Sequence, residues 1–145
     1  MTIGIIGSGA IGAAFATTLA RAGIDAIISN SRGPDSLKAL VRELGPTIKA
    51  GRREEAASAD MVFVAVNWTK LPAALSGLPA WGGRIVIDAN NPIEAPLFKP
   101  VDLQGRVSSD VVADLVPGAR VVKAFNHLRA AVLAGDPKAD GGRRV

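Results

Sequence analysis

Six residues near the start constrain this chain more than any others. Gly7-Ser8-Gly9-Ala10-Ile11-Gly12 directly follow the short apolar run 2–6 and open a stretch in which Ile11, Phe15 and Leu19 recur at spacing four, up to Gly23. A G-x-G-x-x-G between a buried strand and a helix has a definite mechanical meaning. Gly7 permits the tight turn, Gly9 lets the backbone approach a pyrophosphate, and Gly12 lets helix and strand pack closely. The helix start then presents unpaired N–H groups and a positive dipole end to phosphate. On its own the motif could be a glycine-rich turn, but the strand before it and the helix after it read it as a dinucleotide site. Gly7, Ser8, Gly9, Ala10, Ile11 and Gly12 are therefore candidate cofactor-binding residues.

The rest of the chain repeats the same alternation. Short apolar runs at 26–29, 47–50, 61–66, 84–88 and 120–125 read as strands, and 61–66 is apolar throughout, as a strand buried on both faces requires. Between them lie helical patterns: Leu37, Leu40, Val41 and Leu44 after Asp35 and Ser36, then 54–59, 72–78, and Ser108 onward through Val111, Val112 and Leu115. The segment 91–107, with Pro92, Pro96 and Pro100, reads as a loop. Parallel neighbours cannot be joined by a tight turn, so the expectation is an α/β, doubly wound, mainly parallel sheet of about six strands. One domain over 1–135 is expected, followed by a tail at 136–145.

Composition narrows the class of partner. The chain has 145 residues, no cysteine and a formal net charge of +4. Up to Ala119 there are 11 basic and 11 acidic residues, whereas the remaining 26 carry 6 and 2, so the excess lies wholly at the C-terminal end. This is not a basic face built across a domain, and no nucleic-acid partner is expected. The first 20 residues carry no charged side chain. However, no basic residues precede the apolar stretch and four glycines interrupt it, which argues against a signal peptide or a membrane span. A cytoplasmic location with no membrane partner is expected. One histidine and no cysteine leave the usual zinc sites without ligands, and no metal site is expected.

Ligands of doubly wound sheets bind beyond the carboxyl ends of the strands. After the second strand stand Asn30, Ser31 and Arg32, with no acid until Asp35, while Asp25 lies at the other end of the strand. A carboxylate here would bind the ribose 2′-OH of NAD and repel a 2′-phosphate; Arg32 can pair with that phosphate and Ser31 can add a hydroxyl, so NADP(H) is preferred. The alternative is that Arg32 is a solvated loop charge. Val66, Asn67 and Trp68 follow the fourth strand, with Trp68 either a flat platform for a ring or a packed helix-start residue. Asn90, Asn91 and Pro92 follow the fifth, where the asparagines either bind ribose or nicotinamide or cap the turn. Ala124, Asn126 and His127 follow or end the sixth. His127 and Asn126 are the candidates for a catalytic role, although no carboxylate close in sequence is placed to orient His127. Arg52-Arg53 followed by Glu54-Glu55 reads as a solvated helix start. Nothing in this set demands proton chemistry, and hydride transfer between two bound cofactors can proceed by positioning.

Taken together, Gly7 to Gly12, Ser31-Arg32, Asp60 leading into 61–66 with Trp68 following, Asp88 through Asn91-Pro92-Ile93, and Val121-Val122-Lys123-Ala124-Phe125-Asn126 resemble the deazaflavin (coenzyme F-420)-dependent NADP oxidoreductase family over nearly the whole chain. The resemblance implies a Rossmann-type domain and reversible hydride transfer between NADP(H) and F-420 or a flavin. It implies NADP contacts at Ser8 to Ile11, Ser31, Arg32, Val66, Asn67, Asn90 and Ala124. The nicotinamide would lie near Asn91-Pro92 and Asn126, with the deazaflavin stacked on it, in a homodimer. Relatives vary in electron partner and include membrane-anchored metalloreductases sharing this nucleotide domain. Two departures stand out. His127 occupies a place often held by Thr, and such proteins run to about 200 residues, a common domain size. The expectation is therefore a truncated chain in which a seventh strand would begin near Arg143. Two other readings are a non-catalytic NADP-binding module and a hydroxyacid- or imine-type dehydrogenase lacking its helical domain.

Overall fold

The first strand, β1 (Ile3–Ile6), is buried at every position, and its neighbours explain why. In the computed structural model, which describes residues 1–136 and Lys138, β1 pairs in parallel with β2 (Ala26–Ser29) on one side and β4 (Met61–Val64) on the other. β3 (Ile48–Ala50) extends the sheet beyond β2, and β5 (Ile85–Asp88) and β8 (Arg120–Lys123) extend it beyond β4. The resulting order, β3-β2-β1-β4-β5-β8, is wholly parallel and reverses direction between β1 and β4. This is the six-stranded doubly wound sheet expected from the alternation, a Rossmann-type fold.

Helices cover both faces because the strand side chains alternate between two apolar clusters. Ile3, Ile5 and Phe63 point to the face carrying Phe15 and Leu19 of α1 (Ala10–Arg21), with Leu40, Val41 and Leu44 of α2 (Lys38–Leu44) packed at its margin. Ile6, Val62, Val64 and Val86 point to the other face. There they meet Ala56 and Ala57 of α3 (Arg53–Ala57), Leu71 and Leu75 of α4 (Leu71–Leu75), and Val112 of α5 (Ser108–Leu115). At about 25 cal/mol per Å² of apolar surface removed from water, these two clusters dominate the stabilising side of the fold.

Several boundaries move, each for a local reason. The fourth strand stops at Val64 rather than 66, because the N–H of Val66 turns to the side chain of Asn90 at 2.8 Å. The sixth stops at Lys123 rather than 125, because Phe125 adopts φ 64° and its ring packs against Phe15 and Phe63. The short helices expected at 54–59 and 72–78 begin and end earlier, the second preceded by a 3-10 turn at Trp68–Lys70. A second 3-10 turn, Pro34–Leu37, precedes α2. The expected loop 91–107 contains a small antiparallel hairpin, β6 (Ile93–Glu94) with β7 (Lys99–Pro100). Strands of two residues leave no readable period, and the prolines conceal them. An unexpected helix, α6 (Ala130–Ala134), packs on α1, where Thr18 Oγ1 donates to the Leu133 carbonyl at 2.7 Å and Arg21 to that of Ala134. The tail at 136–145 and a strand near Arg143 fall outside the described residues, apart from Asp136 and Lys138. Among the described residues no helix is long and apolar enough to cross a membrane.

Candidate functional site

At the point where the strand order reverses, the loops after β1 and β4 diverge and a cleft of about 1170 Å³ opens above the carboxyl ends of the sheet. Ordinary small-molecule pockets hold roughly 300–1,000 Å³, so this one suits an extended ligand. Its floor is the glycine turn. Gly7 has φ 111°, and a Cβ there would stand 2.1 Å from the Ala65 carbonyl oxygen. A Cβ at Gly12 would stand 1.9 Å from the carbonyl oxygen of Gly7, so close packing of helix and turn excludes any other residue. Gly9 is different: nothing lies within 4 Å of where its Cβ would be. That open side faces the cleft. No side chain caps α1, its first turn holds no acid, and its first regular hydrogen bond runs from Ala13 N–H to the Gly9 carbonyl at 2.9 Å. The N–H groups of Ala10 and Ile11 are left for a phosphate.

The end of β2 forms one wall. Asn30 Nδ2 donates to Ser8 Oγ at 3.1 Å and to Ser36 Oγ at 3.0 Å, while Asn30 Oδ1 accepts the Arg32 N–H at 2.9 Å. Asn30 thus braces the β2 turn against the glycine turn. Ser31 and Arg32, which it positions, line the cleft and are exposed. Among the described residues the Arg32 guanidinium makes no hydrogen bond or ion pair. The next acid along the chain, Asp35, is hydrogen-bonded to Lys38 at 2.6 Å, and that ammonium holds its carboxyl below the usual carboxylate range. Asp35 does not line the cleft; among the described residues the one acid that does is Glu54. An open glycine face, free helix-start N–H groups and an unengaged guanidinium fit a dinucleotide carrying a phosphate on its ribose.

The other wall is built differently. Asp88 is fully buried. Its Oδ1 accepts the Asn90 N–H at 2.9 Å and Asn90 Nδ2 at 2.7 Å, and its Oδ2 accepts Lys123 Nζ at 2.8 Å. Lys123 Nζ also donates to the Asn90 carbonyl. Asn90 Nδ2 reaches the Val64 carbonyl at 3.1 Å and Oδ1 takes the Val66 N–H at 2.8 Å. The side chain of Asn90 is consumed in holding the ends of β4 and β5 together, so the turn-stabilising alternative describes it. Asn91 Nδ2 donates to the Asn126 carbonyl at 2.7 Å, and Asn126 Nδ2 donates to Asn91 Oδ1 at 3.1 Å.

Most of the residues expected at the site are brought together. The glycine turn from Gly7 to Ile11, then Asn30, Ser31 and Arg32, then Val66, Asn67 and Trp68, and finally Asn90 and Asn91, all line the cleft. Gly12, Pro92, Ala124, Asn126 and His127 do not. Gly12 acts by packing, the Pro92 carbonyl accepts the Val101 N–H at 2.8 Å, and Ala124 continues the β5 ladder through its N–H to the Asp88 carbonyl at 3.2 Å. His127 is exposed and, among the described residues, faces no carboxylate within bonding distance. Trp68 is only 8% exposed and packs with the Val62 and Leu71 cluster, which makes it a packed helix-start residue rather than an open platform. The aromatic ring open to the cleft is Phe98, 76% exposed at the tip of the β6–β7 hairpin. Arg52, Arg53 and Lys70 also line the cleft, against a single acid, Glu54. Applying the strand-end rule to the weak third strand would have marked Arg52; nothing in the sequence marked Phe98.

With this geometry in view, comparisons with known proteins agree. Residues 2–92 match the family described as NADP oxidoreductase, coenzyme F420-dependent. The chain is 33% identical over 144 residues to metalloreductase STEAP3 of Rattus norvegicus, covering 99% of this chain and 28% of that protein's length. A hypothetical protein from Sinorhizobium meliloti, solved as a crystal structure, is 49% identical with a TM-score of 0.91, over 99% of this chain and 70% of that one. A reductive aminase from Aspergillus terreus, solved with NADPH and ethyl-5-oxohexanoate, shares the fold at 19% identity and a TM-score of 0.66, over 90% of this chain and 42% of that one.

Proposed function

We propose that this chain, which belongs to the coenzyme F420-dependent NADP oxidoreductase family, binds NADP(H) in the cleft and passes hydride between it and a deazaflavin or flavin acceptor. The observation that carries the cofactor half of the reading is Arg32. Its guanidinium, unengaged among the described residues, opens onto the same cleft as the glycine turn, at a strand end whose next acid, Asp35, does not line that cleft. NADP(H), when bound, supplies the chemistry, since hydride transfer moves two electrons to the acceptor and the accompanying proton comes from solvent. The protein's part is placement. The helix-start N–H groups and Gly9 receive the pyrophosphate, while Ser31 and Arg32 receive the ribose phosphate. On the far side, Asn90, Lys123 and Asp88 hold the ends of β4 and β5 so that the nicotinamide meets a fixed wall. Phe98 offers the acceptor ring an apolar face at the cleft mouth. The same reading takes the protein as cytoplasmic, from its want of an export or spanning pattern, and, as the family resemblance implies, as a homodimer acting on small-molecule cofactors.

The test is spectrophotometric. Protein mixed with NADPH and oxidised F-420, and separately with FMN, is expected to bleach the nicotinamide absorbance with at least one acceptor. Tight NADPH binding without oxidation by either would favour a non-catalytic NADP module. Absence of NADPH binding would end both readings.

A further inference from the structure

The pair Arg52-Arg53, read from sequence as a solvated helix start, divides into two residues with different work. Arg53 is tied down: it donates to the carbonyls of Ala73 at 2.5 Å and Ala74 at 3.2 Å, and its side chain meets Glu54 at 3.3 Å. Its charge joins α3 to α4. Arg52 is exposed, with its backbone N–H fixed by Glu55 Oε2 at 2.5 Å. Among the described residues its guanidinium makes no hydrogen bond or ion pair, and its charge is felt only through space by Glu54.

Strand register sets where the backbone of Arg52 stands. β2 and β3 run parallel with Ile28 opposite Ala50, and the Gly51 N–H extends the ladder to the Ile28 carbonyl at 3.0 Å. Counting on from that pair puts Arg52 level with Asn30, beside the turn that presents Ser31 and Arg32. Both arginines line one cleft. Two like charges on adjacent strand ends repel each other and gain nothing from proximity unless an anion lies between them. A phosphomonoester is the anion that suits two forks, since it carries nearly two charges at neutral pH and three acceptor oxygens. A single guanidinium can engage only two of those oxygens side by side.

We propose that Arg52 is a second specificity-determining residue, which clamps the ribose phosphate of the dinucleotide from the β3 side while Arg32 clamps it from the β2 side. This rests on the NADP reading above and adds a residue to it. A competing use of the same side chain is stacking of its planar guanidinium on the adenine, which would strengthen all adenine nucleotides alike.

Binding measurements separate the two without any acceptor. Dissociation constants for NADPH and NADH, and for 2′,5′-ADP and 5′-ADP, are measured by calorimetry on the wild type, Arg52→Ala and Arg52→Lys, with melting curves to confirm folding. Arg52→Ala is expected to weaken NADPH and 2′,5′-ADP about tenfold, the scale of one charge-assisted hydrogen bond, and to leave NADH and 5′-ADP within about twofold. Arg52→Lys is expected to recover part of the loss as a point charge. Equal weakening of all four nucleotides would establish stacking and overturn the clamp, whereas no change in any would overturn the clamp and exclude stacking too. A wild type that binds NADPH no more tightly than NADH is a distinct failure, because it removes the NADP reading itself before any variant is examined.

Discussion

The two ends of the cleft use polar residues in opposite ways. At the β2–β3 end, Ser31, Arg32 and Arg52 are exposed, and the two guanidinium groups have no hydrogen-bonding partner among the described residues. At the β4–β5–β8 end, Asp88, Asn90 and Lys123 saturate one another, and Asn91 and Asn126 form a reciprocal pair. The first end leaves charged donors open to the cleft. At the second, Asp88, Asn90 and Lys123 are held by bonds to the fold itself. On the proposed reading, the exposed cations await an anionic phosphate, whereas the nicotinamide ring, whose charge changes with its redox state, needs a fixed surface at a fixed distance.

This contrast can be broken from either side, and the largest effect is expected at the saturated end. Lys123→Ala leaves the fully buried Asp88 carboxylate without its cation, and removing one partner of a buried pair costs about 3 kcal/mol. For a domain of this size that lowers the melting temperature by about 10 °C, measurable by calorimetry. NADPH and NADH are expected to weaken together. A melting temperature shifted by less than about 2 °C would show that the network is dispensable.

Arg32→Ala is the converse. It is expected to weaken NADPH by about 1.5–3 kcal/mol, to leave NADH nearly unchanged, and to leave the melting curve where it was. Equal loss for both nucleotides would remove the distinction between the two ends. A smaller effect is expected at the mouth. Phe98→Ala touches no core cluster, so stability and NADPH affinity are expected to hold while the KM for the acceptor rises several-fold. A change in NADPH affinity instead would make Phe98 part of the nucleotide wall.

The smallest effect lies at the opposite ends of the strands and serves as a control. The Thr2 N–H donates to Asp60 Oδ2 at 2.7 Å and holds that carboxyl below its usual range. A carboxyl depressed in the folded state contributes stability above its unfolded pKa of about 3.9, and loses it as pH falls through the lower folded value. Asp60→Asn is expected to flatten the melting temperature slightly between pH 5 and 3, with nucleotide selectivity unaltered.

How much of this was legible depends on the range of the signal. Ile3, Ile5, Phe63 and Val64 announced central strands because a strand buried on both faces must be apolar throughout, and Gly7 and Gly12 announced the turn because no side chain fits there. The hairpin at Ile93–Pro100 was hidden by its two-residue strands, and with it the placement of Phe98 at the cleft. Trp68 was ambiguous because a ring suits a core and a platform equally. Only the packing of Leu71 and Val62 around it decided the matter.

The sequence by itself determined the alternation of strand and helix, the glycine turn and the absence of an acid beside Arg32, since each depends on residues close together along the chain. The tertiary structure alone decided which polar groups are spent. Asn90 is consumed by Val64, Val66 and Asp88, and Arg53 by Ala73 and Ala74, whereas among the described residues Arg32 and Arg52 keep their guanidinium donors. A hydrogen bond needs two groups within about 3 Å, and whether residues tens of positions apart meet that condition is settled only when the sheet has formed.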